Sequence, residues 1–311
     1  MYQKMLIPLD GSELAEVVFT YAKELAGRLD IDLTLLHVSS QATRDFIPMQ
    51  KAYIKRAADT VKRHAREVQE RTLGKAPETP LKVKGELVTG YAAEEILHYA
   101  TENEIDVILL ATHGRSGLKR WNLGSVAGKV LSSSKTPVWL VRAGVEDQTP
   151  YDKWPSKTLI VPLDGSELAE SVLPHVEALA KQRSTKPIEV LLLKVSEPPS
   201  VPTYYGPEIS GVSLNWGDYI QQETIRRKES SEEYLAKIEK RIKADKINVS
   251  SKVIEGKAND EIVDYANNNP ESIIVLATHG RSGISRLVYG SVAANLLNGI
   301  TNPILMVKPK E

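Results

Sequence analysis

The chain has 311 residues, enough for two domains of ordinary size, and its 40 Lys and Arg residues balance its 40 Asp and Glu residues. This neutrality argues against a nucleic-acid or membrane-surface protein, which usually has a basic excess. The absence of cysteine excludes disulfide scaffolds, thiolate metal sites and cysteine nucleophiles. The segment MYQKMLIPLDGS shows no signal-peptide pattern, and no apolar run approaches the length of a membrane span, so we expect a cytoplasmic protein.

Strand-like and helix-like segments alternate in the first half of the chain. Apolar runs typical of strands read, in order, KMLIPL, DLTLLHV, KVKGELV, DVILLAT and PVWLV. Between them, apolar residues at helical spacing predict helices over residues 13–29, 53–73, 93–102 and 125–133. The long second helix is expected to bury Ile54, Ala57, Val61, Ala65 and Val68. Its Lys and Arg residues are expected to face solvent rather than nucleic acid.

The second half repeats this order with the runs TLIVPL, IEVLLLKV, VSSKVIE, SIIVLAT and PILMV. Most of these runs are continuously apolar, as expected for parallel strands that helices cover on both faces. Alternation of strands with helices is typical of a doubly wound sheet. We therefore predict an α/β fold of two tandem doubly wound parallel-sheet domains. Each would have five strands in the order 3-2-1-4-5 and helices on both faces.

Near-identical segments indicate that the two halves are copies of one domain. IPLDGSELAE returns as VPLDGSELAE, and ATHGRSG and GSVA each occur once in each half. So long a period indicates duplication of a whole domain rather than a solenoid. The polar segment AGVEDQTPYDKWPSK, which contains two prolines, is typical of a linker. We predict one domain over residues 1–143, a linker over 144–157 and a second domain over 158–311.

Both repeated motifs directly follow strands. PLDGS comes after the first strand of each half, and ATHGRSG comes after the fourth. In open α/β sheets, ligands bind beyond the carboxyl ends of the strands where the strand order reverses, and strands 1 and 4 flank that point. The two motifs are therefore expected to meet across one cleft in each half. Asp10 and Asp164, at the end of strand 1, could hold a ribose hydroxyl or a magnesium ion.

The ATHGRSG loop has the chemistry of a phosphate site. Gly114 and Gly117 allow the backbone to approach a ligand closely, and Arg115 adds positive charge. Ser125 is predicted to be the N-cap of the next helix, whose first N–H groups favour an anion. The second copy carries the same set at Gly280, Arg281, Gly283 and Ser291. There is no GxxxxGK[ST] loop and no GxGxxG after strand 1, which argues against a P-loop NTPase and a classical dinucleotide enzyme.

Several of these residues have plainer interpretations. The glycine loops also fit an ordinary tight turn into a helix. Asp10, Ser12 and His113 suggest a hydrolytic triad, but the GxSxG elbow is missing, and we expect Ser12 to cap the following helix. His37 becomes Lys194 in the second copy, which favours a structural histidine. The Pro-, Gly- and aromatic-rich segment 197–220 is either a lid over the second site or, as we favour, a packing loop.

With these motifs the chain resembles a tandem universal stress protein, and the resemblance covers both halves. Nucleotide-binding members of that family share the pattern G-x2-G-x9-G-[ST]. Its last part fits both copies, at Gly114 with Gly124-Ser125 and at Gly280 with Gly290-Ser291. The first glycine of the pattern is replaced by Ala111 and Ala277.

The resemblance implies that each half binds ATP, or AMP or ADP, and the aspartate after strand 1 suggests Mg²⁺ as an accompanying ion. Together with the loop chemistry, it gives these nucleotide-binding residues in the first copy: Pro8, Leu9, Asp10, Val38, Ala111, His113, Gly114, Arg115, Gly117, Gly124, Ser125 and Val126. In the second copy they are Pro162, Leu163, Asp164, Val195, Ala277, His279, Gly280, Arg281, Gly283, Gly290, Ser291 and Val292. The expected magnesium ligands are Asp10 and Asp164.

The function implied by the resemblance is that of a cytoplasmic stress-response protein acting as a nucleotide-dependent sensor. The last strands of the two domains are expected to pair within the chain, and the family also allows a homodimer. A slow ATPase or phosphotransferase is the first alternative, although no second carboxylate or lysine recurs in both motifs as a base or phosphate clamp. An interaction protein with empty clefts is the second, and the intact glycine motifs argue against it.

Overall fold

The computed structural model describes residues 2–40, 45–75, 81–112, 123–143, 158–183, 188–199, 216–243, 245–279 and 289–309. The first half contains strands β1 (Lys4–Leu9), β2 (Asp32–Ser39), β3 (Val83–Thr89), β4 (Val107–Ala111) and β5 (Val138–Val141). Its helices are α1 (Glu13–Glu16), α2 (Phe19–Leu29), α3 (Ile47–Leu73), α4 (Ala92–Glu102) and α5 (Ser125–Ser133).

The second half repeats this alternation. Its strands are β6 (Leu159–Pro162), β7 (Glu189–Ser196), β8 (Asn248–Glu255), β9 (Ile273–Ala277) and β10 (Ile304–Val307). Its helices are α6 (Glu167–Glu170), α7 (Leu173–Ala180), α8 (Trp216–Lys243), α9 (Ala258–Asn267) and α10 (Ser291–Gly299). The linker predicted over residues 144–157 lies outside the described residues and remains a prediction.

These strands form a single sheet in the order β3-β2-β1-β4-β5-β10-β9-β6-β7-β8. Within each half all pairs are parallel, and both halves have the order 3-2-1-4-5, so the predicted fold class is confirmed. Strands β5 and β10 meet in antiparallel pairing, with Trp139 opposite Leu305. The order reverses between β1 and β4 and between β6 and β9, where parallel α/β sheets bind ligands.

The sheet is apolar on both faces, and each face has its own core. In β1, Met5 and Ile7 belong to the core that α2 and α3 cover, whereas Leu6 belongs to the core under α4 and α5. The second half is layered in the same way, with α7 and α8 on one face and α9 and α10 on the other. Because the central strands are covered twice, they read as continuous apolar runs in the sequence.

The longest predicted helix of the first half is confirmed, but it begins earlier than predicted. Its five expected core residues are buried, and its Lys and Arg residues between positions 51 and 66 are exposed, as predicted. The helix starts at Ile47 instead of near position 53, with Pro48 in its first turn. A proline there removes only an N–H group that has no partner within the helix, so it does not mark a boundary.

Two other helix boundaries differ from the prediction. The single helix predicted over residues 13–29 is two helices, interrupted at Val17 and Val18, which both keep right-handed helical backbone angles. Adjacent β-branched residues are weak helix formers, which the apolar spacing alone does not reveal. The segment predicted as a loop over 197–220 already becomes helix α8 at Trp216. Its residues 200–215 lie outside the described part of the chain.

The two halves also touch through Tyr2 and through residues in and next to α2 and α7. The hydroxyl of Tyr2 lies 2.7 Å from Nδ1 of His175. Arg28 Nη1 donates to the carbonyl of Arg183 at 3.0 Å, and the Arg183 amide donates to the Arg28 carbonyl at 3.1 Å. Arg28 is 3% exposed and pairs with Glu24, and burial lowers the pKa of its guanidinium. The contact therefore places a buried ion pair where the halves meet.

Candidate functional site

The loop after β1 is an Asp-Gly-Ser turn that begins α1. Gly11 has φ 82°, the left-handed region that glycine enters without strain. Asp10 Oδ1 accepts hydrogen bonds from the Ser12 amide at 3.0 Å and the Ser12 hydroxyl at 2.6 Å. The Ser12 hydroxyl in turn accepts from the Ala15 amide at 3.3 Å, so the predicted capping role of Ser12 is confirmed. These bonds fix one carboxylate oxygen of Asp10 beside the end of β1.

The second copy reproduces this turn closely. Asp164 Oδ1 accepts from the Ser166 amide at 2.9 Å and from its hydroxyl at 2.6 Å. Ser166 caps α6 through the Ala169 amide at 3.2 Å, and Gly165 has φ 92°. Equal geometry in both copies shows that the PLDGS segment builds the same local structure twice.

The segment after β4 is anchored at both of its described ends. The Thr112 amide donates to the carbonyl of Val141 at 2.9 Å, and the Gly124 amide donates to the carbonyl of Thr112 at 2.8 Å. In the second copy the Gly290 amide donates to the carbonyl of Thr278 at 2.9 Å. Each glycine therefore lies beside the end of the fourth strand, and the next helix begins there.

Ser125 does not have the predicted capping role. The N-cap of α5 is Gly124, and Ser125 is the first helical residue, without a side-chain cap bond at this helix start. The second copy agrees, with Gly290 as the N-cap of α10. The amides of Gly124 and Gly290 bond to the carbonyls of Thr112 and Thr278 at the strand ends, which places the glycine, rather than the serine, at the helix boundary. The first N–H groups of both helices still have no acceptor within their own helix.

A cleft of about 300 Å³ opens at the carboxyl ends of β1 and β4, where the strand order reverses. All the described residues that were predicted for the first site line it, namely Pro8, Leu9, Asp10, Val38, Ala111, Gly124, Ser125 and Val126. Those whose position lies outside the described residues are His113, Gly114, Arg115 and Gly117. The structure thus brings the PLDGS end and the GS end of the motifs to one cleft.

The second half has a larger cleft, of about 740 Å³, at the equivalent place between β6 and β9. It is lined by the corresponding predicted residues Pro162, Leu163, Asp164, Val195, Ala277, His279, Gly290, Ser291 and Val292. Gly280, Arg281 and Gly283 lie outside the described residues. The His279 side chain has its Nδ1 atom 3.1 Å from the Thr278 hydroxyl.

Sequence reasoning missed one wall of both clefts. Ala92 and Ile96 of α4 line the first cleft, and Ala258 and Ile262 of α9 line the second. These helices follow the third strand of each half, and their starts, AAEEIL and ANDEIV, are similar in sequence. A comparison of the two copies at this third connection could have found the wall.

The two clefts differ at the end of the second strand. In the first copy His37 is 4% exposed, and its Nδ1 lies 2.9 Å from the carbonyl of Leu9. Because a carbonyl only accepts, Nδ1 carries the proton, and the predicted structural histidine is confirmed. In the second copy Lys194 is 7% exposed and donates to the carbonyl of Asp164 at 2.7 Å. The strand therefore keeps its bond to the loop, but a lysine now lines the cleft.

Helix α8 contributes a basic wall to the second cleft. Glu223 accepts hydrogen bonds from Arg226, at 2.8 and 2.9 Å, and from Arg227 at 2.9 Å. These bonds lower the pKa of the Glu223 carboxyl to about 2, so it stays ionised between the two guanidinium groups. Arg227 also donates to the carbonyl of Glu197 at 3.2 Å, and a Glu197 carboxylate oxygen accepts from the Ala258 amide at 3.0 Å.

The predicted magnesium ligands are single carboxylates. Nowhere in the described part of the chain do three His, Cys, Asp or Glu side chains group as a metal-binding set. Asp10 and Asp164 each line a cleft, and a carboxylate is a hard oxygen ligand that suits Mg²⁺. This donor set fits an ion held mainly by nucleotide phosphates and waters, the common arrangement for Mg²⁺.

Comparisons with known proteins match the whole length of the chain. A sequence model described as the Universal stress protein family matches residues 1–142 and again 155–308. Universal stress protein YxiE of Bacillus subtilis is 31% identical over 148 residues, covering 46% of this chain and 100% of that protein. Universal stress protein E of Salmonella typhi is 22% identical over 334 residues, covering 100% of this chain and 96% of that protein.

Solved structures share the fold over both halves. The crystal structure of a universal stress protein from Archaeoglobus fulgidus has a TM-score of 0.62 and 17% sequence identity. The superposition covers 99% of this chain and 97% of the Archaeoglobus fulgidus chain. Among the helices that the structure describes, none has both the length and the apolar composition needed to cross a bilayer.

Proposed function

The chain belongs to the universal stress protein family, and from this premise we propose that each half binds an adenine nucleotide in the cleft at its strand-order reversal. Occupancy of the two clefts, rather than turnover, would be the signal of this stress-response protein. Binding would favour the conformations of the surrounding loops that fit the nucleotide and so change a partner surface. Function in the cytoplasm is part of the same proposal.

The observation that carries the proposal is the equivalence of the two clefts. Residues from the PLDGS loop, the second strand, the fourth strand and the GS helix start line both clefts in corresponding positions. A chance turn motif would not require these four segments to meet at one place in each copy. Volumes of about 300 and 740 Å³ lie in or close to the range of small-molecule sites.

The helix starts support an anionic ligand portion at one end of each cleft. Ser125 and Val126 begin α5 beside the first cleft, and Ser291 and Val292 begin α10 beside the second. The N–H groups in a first helical turn point outward along the axis, and the helix dipole favours negative charge there. We assign this end to the phosphates, and the apolar side chains of Val38 and Val195, which also line the clefts, to the base.

Asp10 and Asp164 would orient the ligand from the middle of each cleft. One oxygen of each carboxylate is held by its Ser amide and hydroxyl, which fixes the direction of the group. The carboxylate would accept from a ribose hydroxyl, and it would be the protein's ligand to Mg²⁺ when the ion accompanies the phosphates.

We further propose that the pairing of β5 with β10 gives one chain the two clefts that a dimer of single domains would otherwise supply. Association of two such chains into a homodimer would then bring four clefts together. Size-exclusion chromatography with light scattering at several concentrations would measure this association.

The experiment that tests the nucleotide proposal separates three functions. The protein is purified without added nucleotide and denatured, and released small molecules are identified by mass spectrometry; the native protein is also incubated with labelled ATP and Mg²⁺. Intact bound ATP is the expected result. Steady release of ADP would replace the sensor with a slow ATPase. Absence of both ligand and affinity would leave an interaction protein with empty clefts.

A further inference from the structure

The second cleft differs from the first because helix α8 is displaced along its own axis. Both long helices are anchored by the same contact, since Tyr53 donates to Glu16 at 3.0 Å and Tyr234 donates to Glu170 at 3.1 Å. Helix α3 begins at Ile47, six residues before its tyrosine, whereas α8 begins at Trp216, eighteen residues before its own. At 1.5 Å per residue, α8 extends about 18 Å further toward the cleft edge.

This extension brings basic side chains to the second cleft alone. Arg226 and Arg227 line it, and the equivalent positions of the first copy, Asp45 and Phe46, precede α3. Among the described residues that line the first cleft, the charged one is Asp10. Among the described lining residues, the second cleft has Asp164 and Glu197 against Lys194, Arg226 and Arg227, three cationic side chains for which the described lining of the first cleft has no counterpart.

The basic groups lie at the opposite end of the cleft from the α10 helix start. The strand order places β9 and α10 on one side of β6, and β7 with α8 on the other. Neighbouring strands are about 4.8 Å apart, so the two ends are separated by about 10 Å. A ligand that reaches both ends must therefore carry negative charge at two separate places.

Glu223 holds the two arginines in position. Each guanidinium has five N–H donors, and the described residues account for two of these on each of Arg226 and Arg227. Because the paired carboxylate neutralises one of the two charges, the group retains one net positive charge and N–H donors for an oxyanion. Arginine forks of this kind match phosphate geometry.

On these grounds we propose that the second cleft selects an adenine nucleotide with a second phosphate, remote from its 5′-phosphate chain, and that Arg226 and Arg227 bind this second phosphate. The first cleft, without this wall, would bind a nucleotide with 5′-phosphates only. The inference rests on the proposed function, because it assumes a nucleotide whose 5′-phosphates lie at the α10 end. Lys194, on β7 at the same side of the cleft as the arginines, would add attraction for the doubly charged ligand.

The test compares AMP with adenosine 3′,5′-bisphosphate, which differs from AMP by one phosphate. Isothermal titration of the full chain should show one of two sites binding the bisphosphate at least tenfold more tightly than AMP. The double variant Arg226→Ala/Arg227→Ala should lose this preference, because its affinity for the bisphosphate should fall at least tenfold more than its affinity for AMP. The control Arg63→Ala/Arg66→Ala removes two exposed arginines of α3 and should retain the preference.

The outcomes distinguish the two proposals. If ATP binds but AMP and the bisphosphate have equal affinity at both sites, this inference is overturned and the proposed function stands. Equal weakening of both ligands in the Arg226→Ala/Arg227→Ala variant would also overturn it. Failure of ATP, AMP and the bisphosphate to bind would overturn both proposals. Circular dichroism of each variant checks that the fold is retained.

Discussion

At the scale of single residues, the Asp-Gly-Ser turn combines a structural and a functional role. Ser12 caps α1 and also holds Asp10, and Ser166 does the same for α6 and Asp164. A change at the serine should therefore affect both stability and the direction of the carboxylate. The bonds of Ser12 thus account for its position beside Asp10 without a hydrolytic triad.

We expect Ser12→Ala to lower the free energy of unfolding by about 1 kcal/mol, the usual cost of a lost N-cap. Ser12→Asp, which keeps a capping acceptor, should recover most of the stability but repel Asp10 and weaken ATP binding at the first cleft. Urea denaturation and titration calorimetry measure the two effects. Full stability in Ser12→Ala would show that the cap bond is not needed.

An added Cβ at Gly290 would have open space around it among the residues that the structure describes. Its φ of −64° suits any residue, and an added Cβ would meet the Thr278 carbonyl oxygen at 3.6 Å, an ordinary contact. Gly290→Val should fold at a cost of about 1 kcal/mol, because valine is a poorer N-cap than glycine, and should weaken nucleotide binding at the second cleft at least tenfold, because its side chain occupies space for the ligand. The control Gly128→Val, in α5 and outside the described cleft lining, should bind normally.

At the scale of elements, the strands were predictable because burial on both faces leaves a continuous apolar signal. Helix ends were less predictable because they depend on local chemistry. Pro48 marked no boundary, two valines interrupted a regular apolar pattern, and Gly124 rather than Ser125 begins α5. The axial displacement of α8 leaves no periodic trace in its sequence, so the basic wall of the second cleft could not be predicted.

Arg142, just after β5, stabilises the end of α10 in the other half. Its Nη2 donates to the carbonyls of Leu297 at 2.8 Å and Ile300 at 2.7 Å, and burial lowers the pKa of the guanidinium. A cation at a helix carboxyl end also interacts favourably with the dipole. We expect Arg142→Ala to cost about 2–4 kcal/mol, since two hydrogen bonds to a charged group are lost.

Urea denaturation of Arg142→Ala and Arg142→Lys checks this role. The lysine variant should recover only part of the loss, because an ammonium is more strongly hydrated than a guanidinium and is more costly to bury at this position. A loss below about 0.5 kcal/mol, the range of an ordinary surface change, would contradict the assigned role.

At the scale of the whole molecule, the two halves share a sheet, and a buried ion pair of the first half contacts the second. Glu24 is 1% exposed and accepts from Arg28 at 2.9 Å and from Arg71 at 3.1 Å, while Arg28 also reaches the Arg183 carbonyl of the other half. We therefore expect one cooperative unfolding transition for the chain. Arg28→Ala should cost about 2–3 kcal/mol, less than for a fully unpaired buried carboxylate, because Glu24 keeps the half-exposed Arg71 as its partner.

The matched control for Arg28→Ala is Arg66→Ala, which breaks an exposed pair of the same i,i+4 spacing with Glu70. It should cost at most about 0.5 kcal/mol. Thermal unfolding followed by fluorescence and circular dichroism measures both variants. Equal costs would contradict the role given to buried Arg28, and two separate transitions in the unaltered protein would show that the halves unfold independently.

The duplicated motifs revealed the two-domain organisation because each copy forms an equivalent cleft. The described residues predicted for each site do line one cleft, whereas the wall from α4 and α9 was missed because its residues are ordinary apolar ones. Function at the two clefts can therefore differ although their motifs are the same, since helix placement around them differs.

The nucleotide stoichiometry of the chain tests the central claim most directly. Titration calorimetry with ATP and Mg²⁺ should give two equivalents for the unaltered protein, one each for Gly124→Val and Gly290→Val, and none for the folded double variant. Two equivalents in the double variant, or no measurable binding to the unaltered protein, would contradict the assignment of a nucleotide site to each cleft.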